Sequence, residues 1–329
     1  MHQMIHLLTV FGQLSPDDFD FDYAARVPTA TIVFMIAAII LAFIVPIWLF
    51  IHVQRRYELD GLVMLIGLVA YLLGGYIAPA LLGGGIQYLA RKAGADTSGT
   101  AYTVFMSALD SFMVLLSLWI GLKLSARKWK LHLGNLFIYA IGFSLITFMM
   151  NTVTNNMNLL STALTINEGQ IRDGVQSYIE SNSSQTDEEI RNYLEAMFVY
   201  LEEICDFHPT YWMFLSLCLF MTLPNMLGLT VTAGGLISGR FPASEKKWLV
   251  FGFAVYLVMG IVESLLPLEA AWAAFLCYFA AAAAAAVPAY LLTKKYAPDD
   301  IETYHGKSIA EKEKEQHTPF PKINMPKDR

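Results

Sequence analysis

Two carboxylates stand out because each lies inside a stretch otherwise almost free of charge. Asp110 sits midway along one apolar run in the context Ser-Ala-Leu-Asp-Ser, and Glu263 towards the end of another in Gly-Ile-Val-Glu-Ser. An ionisable group within a bilayer costs about 2.5–3.5 kcal/mol on insertion scales, so each is a candidate for chemistry by default. Asp110 reads either as a polar contact holding helices together or as a functional carboxylate. Glu263, nearer a surface, reads as structural or interfacial. As a pair sharing one water they could do acid–base work, provided that their environments hold their pKa values apart and their carboxyls lie within about one water of each other. Polar amides add Asn225, after Pro224, and the group Asn151, Asn155, Asn156 and Asn158, which reads as helix capping and loop packing.

Other chemistries are poorly supplied. His2, His6, His52, His132, His208, His305 and His317 all fall in tails or at the ends of apolar runs, with no His-Glu-x-x-His or other paired spacing. A catalytic zinc wants three protein ligands, and the apolar interior offers one clear carboxylate. Gly-x-Ser-x-Gly is missing, and Gly83-Gly84-Gly85 lacks the Lys-Ser/Thr that would make it a phosphate loop. Cys205, Cys218 and Cys277 show no paired spacing. No metal and no cofactor is therefore expected.

The elements that must position these residues are membrane helices. Of 329 residues, 56% are hydrophobic and 15% charged, and the charges crowd into short blocks. Seven apolar runs, at 29–53, 61–82, 101–122, 133–153, 210–238, 248–266 and 270–293, are each long enough to cross a hydrocarbon core of about 30 Å. The expected fold is all-α, a polytopic transmembrane helix bundle of about seven spans. Prolines at 46, 79, 224 and 288 are compatible with it, because transmembrane helices tolerate kinks. Arg55 and Arg56, the cluster Lys123, Arg127, Lys128 and Lys130, the trio Arg240, Lys246 and Lys247, and the pair Lys294 and Lys295 all fall on one side of a seven-span chain. The positive-inside rule makes that side cytoplasmic, with the N-terminus extracytoplasmic and the C-terminus cytoplasmic in the cell membrane. Arg91 and Lys92 are the one awkward pair.

Five segments follow. Residues 1–27 read as a retained, extracytoplasmic acidic N-terminal tail, since no signal-peptide pattern precedes Asp17, Asp18, Asp20 and Asp22. Four transmembrane helices occupy 28–153 and three more 210–295. Between them, 154–209 is an extracytoplasmic loop, amphipathic and helical over 186–207. Thr186 and Glu189 form a capping box there, and Ile190, Tyr193, Leu194, Met197, Phe198, Leu201 and Ile204 recur at helical spacing opposite Glu188, Glu195, Glu202 and Glu203. This helix either packs over the bundle ends or offers a protein partner an acidic docking face. Residues 296–329 are polar and mixed in charge, and are expected to be a disordered cytoplasmic tail. The alanine run 280–286 would let neighbouring helices approach closely. Besides the lipid bilayer and that possible protein, no partner is indicated, and the net charge of −6 does not point to nucleic acid.

The stretch 43–51, Phe-Ile-Val-Pro-Ile-Trp-Leu-Phe-Ile, followed by Arg55-Arg56-Tyr57 and the run 66–82, resembles the opening of the YhfC-type membrane proteins, intramembrane proteases allied to the prenyl-protein (CAAX) protease superfamily. The resemblance covers the helix layout of most of 28–295. The family's third helix carries a Glu-Glu-x-x-x-Arg-like motif, and here Asp110 and Ser111 stand at the Glu pair, with Val114 or Leu115 near the Arg position. Its fourth carries a Gly-His-Gly-x-x-Glu-like motif, which falls on 142–147, where Phe143 replaces the His and Thr147 the Glu. A later His has no counterpart near Met259-Gly260, although Glu263 lies nearby. The resemblance thus implies a catalytically degenerate relative. Three functions fit these observations: a non-enzymatic scaffold or accessory subunit, which the shortage of catalytic groups favours; an intramembrane hydrolase using Asp110 and Glu263; and a transporter or permease component with Asp110 on the path.

Overall fold

Hydrocarbon offers a backbone N–H or C=O no water to bond, so the apolar runs wind into helices that satisfy themselves. The computed structural model describes residues 14–94, 96–97, 99–147, 153–182, 185–206, 208–267, 270–306 and 309. Among them there is no β-strand. The helices are α1 (Thr29–Gln54), α2 (Gly61–Lys92), α3 (Thr100–Ala126), α4 (Leu133–Thr147), α5 (Asn155–Asn167), α6 (Ile171–Ser181), α7 (Asp187–Asp206), α8 (Pro209–Ile237), α9 (Lys246–Ser264), α10 (Ala271–Tyr296) and α11 (Pro298–His305). Six of them, α1, α2, α3, α8, α10 and α9 with the short turn before it, are long and apolar enough to span a membrane. The expected seventh, α4, is apolar but described over 15 residues. That described part covers about 22 Å at 1.5 Å per residue, and the rest of the expected run, 148–152, lies outside the described residues. Helix α2 is longer than expected, so Arg91 and Lys92 close its last turn. Large side chains such as Trp48, Leu81, Val250 and Leu276 point outward from their helices, as lipid-facing residues do.

The chain divides into two compact units, one from 1–39 and 153–213, the other from 40–152 and 214–329. In the first, α7 buries Ile190, Leu194, Phe198, Leu201 and Ile204, most of the apolar stripe read from the sequence. Its capping box is formed: the Thr186 N–H donates to Glu189 Oε2 at 3.0 Å, and the Glu189 N–H to Thr186 Oγ1 at 3.3 Å. Donation from the Thr186 N–H, and from its hydroxyl at 3.0 Å, holds the Glu189 carboxyl below its ordinary pKa. Tyr193 departs from the expected stripe; it is exposed and stacks on Tyr178 of α6, centroids 4.6 Å apart. The acidic segment after Leu14 is anchored: Phe21 stacks on Phe198 at 4.6 Å, Arg172 binds Asp17 at 2.7 Å, and Val27 exchanges hydrogen bonds with the Asn167 amide at 2.8 and 3.1 Å.

In the second unit, α2 and α4 meet backbone to backbone. A Cβ on Gly67 would strike the Tyr139 carbonyl oxygen, and one on Gly142 the Met64 carbonyl oxygen. Glycine at both positions permits an approach that any side chain would block. The Tyr139 hydroxyl, fully buried, then donates to the Leu118 carbonyl of α3 at 3.2 Å. The alanine run works as read, since a Cβ on Gly228 of α8 would meet the backbone of Ala285 and Ala286 in α10.

One end of this unit gathers the basic clusters. Asp300 accepts from the Arg240 guanidinium and, at 3.2 Å, from the Leu133 N–H, while its own carbonyl accepts from the Tyr57 hydroxyl. The Arg55 carbonyl accepts from the Ile309 N–H at 2.9 Å, and the Lys130 carbonyl from the Asn135 amide at 2.9 Å. The ends of α1, α8 and α10 and the starts of α2 and α4 therefore lie together. These contacts correct the expectation of disorder from 296 onward: 298–305 is a helix, α11, because Asp300 and Tyr304 tie it down. The remainder of that tail, from 310, lies outside the described residues.

His132 stacks on Tyr57 at this end, centroids 5.7 Å apart. Burial pushes its pKa below the ordinary imidazole value of 6.5, with Arg240 adding to the fall and Asp300 and Glu58 opposing it. Its folded pKa is thus below its unfolded one, so the stabilisation is full above about pH 6.5 and is lost as pH falls towards the folded value. The melting temperature in detergent should drop between pH 7.5 and 5.5, and His132→Gln should flatten that drop.

Candidate functional site

Four helices of the second unit enclose a cavity of about 680 Å³. Asp110 reaches it from α3, Glu263 from α9 and Asn225 from α8, while Cys277 and Tyr278 line it from α10. Three residues singled out in the sequence on separate runs thus share one space. The other amides do not join them: Asn156 and Asn158 are on α5 of the other unit, Asn151 lies outside the described residues, and Asn155 is placed only by its backbone at the start of α5.

The pitch of the helices brings the polar groups round. On α3, Thr103, Ser107, Asp110 and Ser111 follow the spacing i, i+4, i+7, i+8, and on α9 Tyr256, Gly260, Glu263 and Ser264 repeat it. At 3.6 residues per turn each set forms a single stripe. The two helices run in opposite directions, because α3 ends and α9 begins at the basic end. Ser107 Oγ donates to the Gly260 carbonyl at 2.9 Å and holds the stripes together. Gly260 is what allows it, since a Cβ there would sit 2.7 Å from Ser111 Oγ. Asp110 consequently lies about 15 Å along α3 from Thr100. Glu263 is next to the last residue of α9, so the two carboxylates are staggered in depth.

The electrostatics of the cavity are one-sided. Among the described residues, no Lys, Arg or His lines it. Among the described residues, neither Asp110 nor Glu263 has a hydrogen bond or an ion pair. The Tyr256 phenol lies within electrostatic reach of both carboxylates, and Tyr278 within reach of Glu263. Asn225 is 2% exposed, and its Oδ1 has no hydrogen-bond partner. A buried amide oxygen without a partner forfeits about 1–3 kcal/mol of solvation, which a ligand donor or cation would restore. Asp110 also faces a second cavity, of about 640 Å³, lined by Tyr71, Gly75, Tyr76 and Pro79 of α2. There α2 departs from regular α geometry into a π-helical turn, Tyr71–Ile77, a feature frequent at functional sites and one that the sequence reading missed. An apolar chamber of about 240 Å³ lies nearer the basic end, between Pro224 and Tyr304. Pro224 lines that chamber while its neighbour Asn225 lines the acidic cavity.

Among the described residues no three of His, Cys, Asp and Glu gather to hold a metal. The cavity can instead bind a positive charge: two carboxylates, an orphan amide oxygen and several hydroxyls converge, with no Lys, Arg or His among the described residues that line it. Sequence reading found the acids and Asn225 but missed the tyrosines and the doubled stripe. That signal was present, because the small-x-x-acid-Ser pattern occurs at both 107–111 and 260–264. No family model, curated protein or solved structure matches this chain. Its architecture is that of an all-α multi-pass integral membrane protein.

Proposed function

We propose that this protein is a permease, or the permease component of a larger assembly, that binds a cation in the acidic cavity and conducts it across the cell membrane. The observation that carries this reading is the meeting of Asp110 and Glu263 in one cavity with no protein cation to neutralise them. Carboxylates so placed mark ion and substrate paths in membrane proteins. The stagger gives an outer carboxylate, Glu263, and a deeper one, Asp110. Pro224 lies inside α8 at the level of the cavity, where it removes one backbone N–H from the helix ladder. The basic end is cytosolic in this reading and the N-terminus extracytoplasmic, by the positive-inside rule. An accessory role alone would give no reason to leave two carboxylates unpaired at such cost.

Purified protein in liposomes should give currents on a solid-supported membrane after jumps of pH, Na+ or tryptamine. Asp110→Asn should reduce them at least tenfold, and Glu263→Gln less. Currents equal to those of empty liposomes for all three cations would remove the proposal. The shared cavity also supports a second reading, a hydrolase of the YhfC type using the two carboxylates around a water. Cleavage of a fluorogenic transmembrane peptide, lost in Asp110→Asn and Glu263→Gln alike, would favour it.

A further inference from the structure

The acidic cavity has a size and a lining that narrow the cation, and here the argument rests on the permease reading. A desolvated Na+ needs a tight cage of about five or six oxygens, as other hard cations do. A proton needs only a chain of donors and acceptors. Neither requires about 680 Å³, a volume within the usual range of small-molecule sites. Nor does either require aromatic walls, whereas Tyr102, Tyr256 and Tyr278 all face this space together with Met106 and Met259. Tyrosine faces attract organic cations through the ring quadrupole, and thioethers adapt to irregular apolar bodies. Asn225, almost fully buried with Oδ1 unpartnered, supplies an acceptor for an N–H donor independently of the acids.

We infer that the cavity is a binding site for an amphipathic organic amine, a protonated nitrogen carried on an aromatic or branched apolar body. The ammonium group sits at Asp110, its N–H donors reach that carboxylate and Asn225 Oδ1, and the body packs among the tyrosines and methionines. Glu263, near the outer end of α9, receives the amine first. Its carboxylate offers a positive charge an intermediate stop before the full depth of the cavity. Anions of the same shape are excluded by the two carboxylates.

Tryptamine and indole-3-propionate share an indole body and differ in the sign of the side-chain charge. Isothermal titration of detergent-solubilised protein should show saturable tryptamine binding and none of indole-3-propionate. Asp110→Asn should weaken tryptamine at least tenfold, and Asn225→Leu about fivefold. Tyr256→Leu, which keeps every carboxylate and removes one aromatic wall, should weaken tryptamine about fivefold. Equal binding of both indoles, or no binding of tryptamine to a monodisperse sample, would overturn the amine assignment. If Na+ or pH jumps still gave Asp110-dependent currents, the permease reading would survive that failure; absent currents together with absent binding would remove both.

Discussion

Gly142→Leu should yield almost no folded protein, whereas Gly85→Leu, in the same unit, should express and purify normally. The two positions differ in what a side chain would meet. At Gly85 a Cβ finds nothing within 4 Å, and leucine would be a better helix former there. At Gly142 the first added carbon already collides with the Met64 carbonyl oxygen. Met64 lies in a helix that is held at the same level by Gly67 against the Tyr139 carbonyl, so neither helix can slide to relieve the clash. Overpacking a core with side-chain partners costs about 1–3 kcal/mol because side chains can turn aside. A backbone carbonyl cannot, so relief requires α2 and α4 to separate. That separation would also withdraw Tyr139 from the Leu118 carbonyl and leave its buried hydroxyl unsatisfied. The total should exceed 4 kcal/mol, a large part of the stability of an ordinary domain. Fluorescence-detected size-exclusion of the two variants measures this directly. A monodisperse Gly142→Leu peak of wild-type height would refute the backbone contact.

The same glycines show what the sequence could and could not disclose. Gly67 and Gly142 are visible as residues, but nothing local says that they face each other, because their pairing is fixed by the register between two helices 75 positions apart. The helices themselves were legible, since hydropathy over about 20 residues reports one-body transfer to lipid and needs no partner. The capping box at Thr186 and Glu189 was legible for a similar reason: both members lie within one turn. Helices α5 and α6 were not read as elements: both are short, α5 is rich in Asn, Ser and Thr, and α6 buries only Val175 and Ile179. Helix α11 was hidden because its order comes from contacts 60 to 243 residues away rather than from its own composition.

The candidate site divides in the same way. Asp110 and Glu263 announced themselves by cost, as charges in apolar sequence. Tyr256 and Tyr278 did not, because a tyrosine in a membrane run is unremarkable until its neighbours are known. The repeated stripe on α3 and α9 is a local pattern, but a two-helix match gains meaning only when the helices are adjacent and antiparallel. The π-helical turn at Tyr71–Ile77 leaves a weaker trace, the Gly74-Gly75 pair, at which a Cβ on Gly74 would meet Ser117 Cβ at 2.5 Å. Its position beside Asp110 widens α2 where the second cavity lies.

Arg240→Met should release α11 from the rest of its unit and cost about 1–3 kcal/mol, less than a fully buried ion pair because the guanidinium is one-third exposed. Asp300 is 13% exposed, and its carboxylate serves two partners, the guanidinium and the Leu133 N–H that opens α4. Once the guanidinium is removed, a nearly buried anion is left with one backbone donor and the weak dipole of a helix start. The carboxylate then gains more from water than from its site, and α11 can satisfy it only by leaving. Its departure would uncover Ile301 and Tyr304 and open the apolar chamber against Pro224 to solvent. Hydrogen exchange over 298–305 should rise at least tenfold in Arg240→Met. The double substitution Arg240→Met with Asp300→Leu should restore much of the protection, because it removes the stranded charge and keeps an apolar side chain beneath the helix. Exchange unchanged in the single variant would mean that the aromatic contacts of Tyr304 with His52 and Phe137 hold α11 without the ion pair. An equal loss in single and double variants would mean that the guanidinium acts through the Leu131 carbonyl, which it also approaches at 3.5 Å, rather than through Asp300.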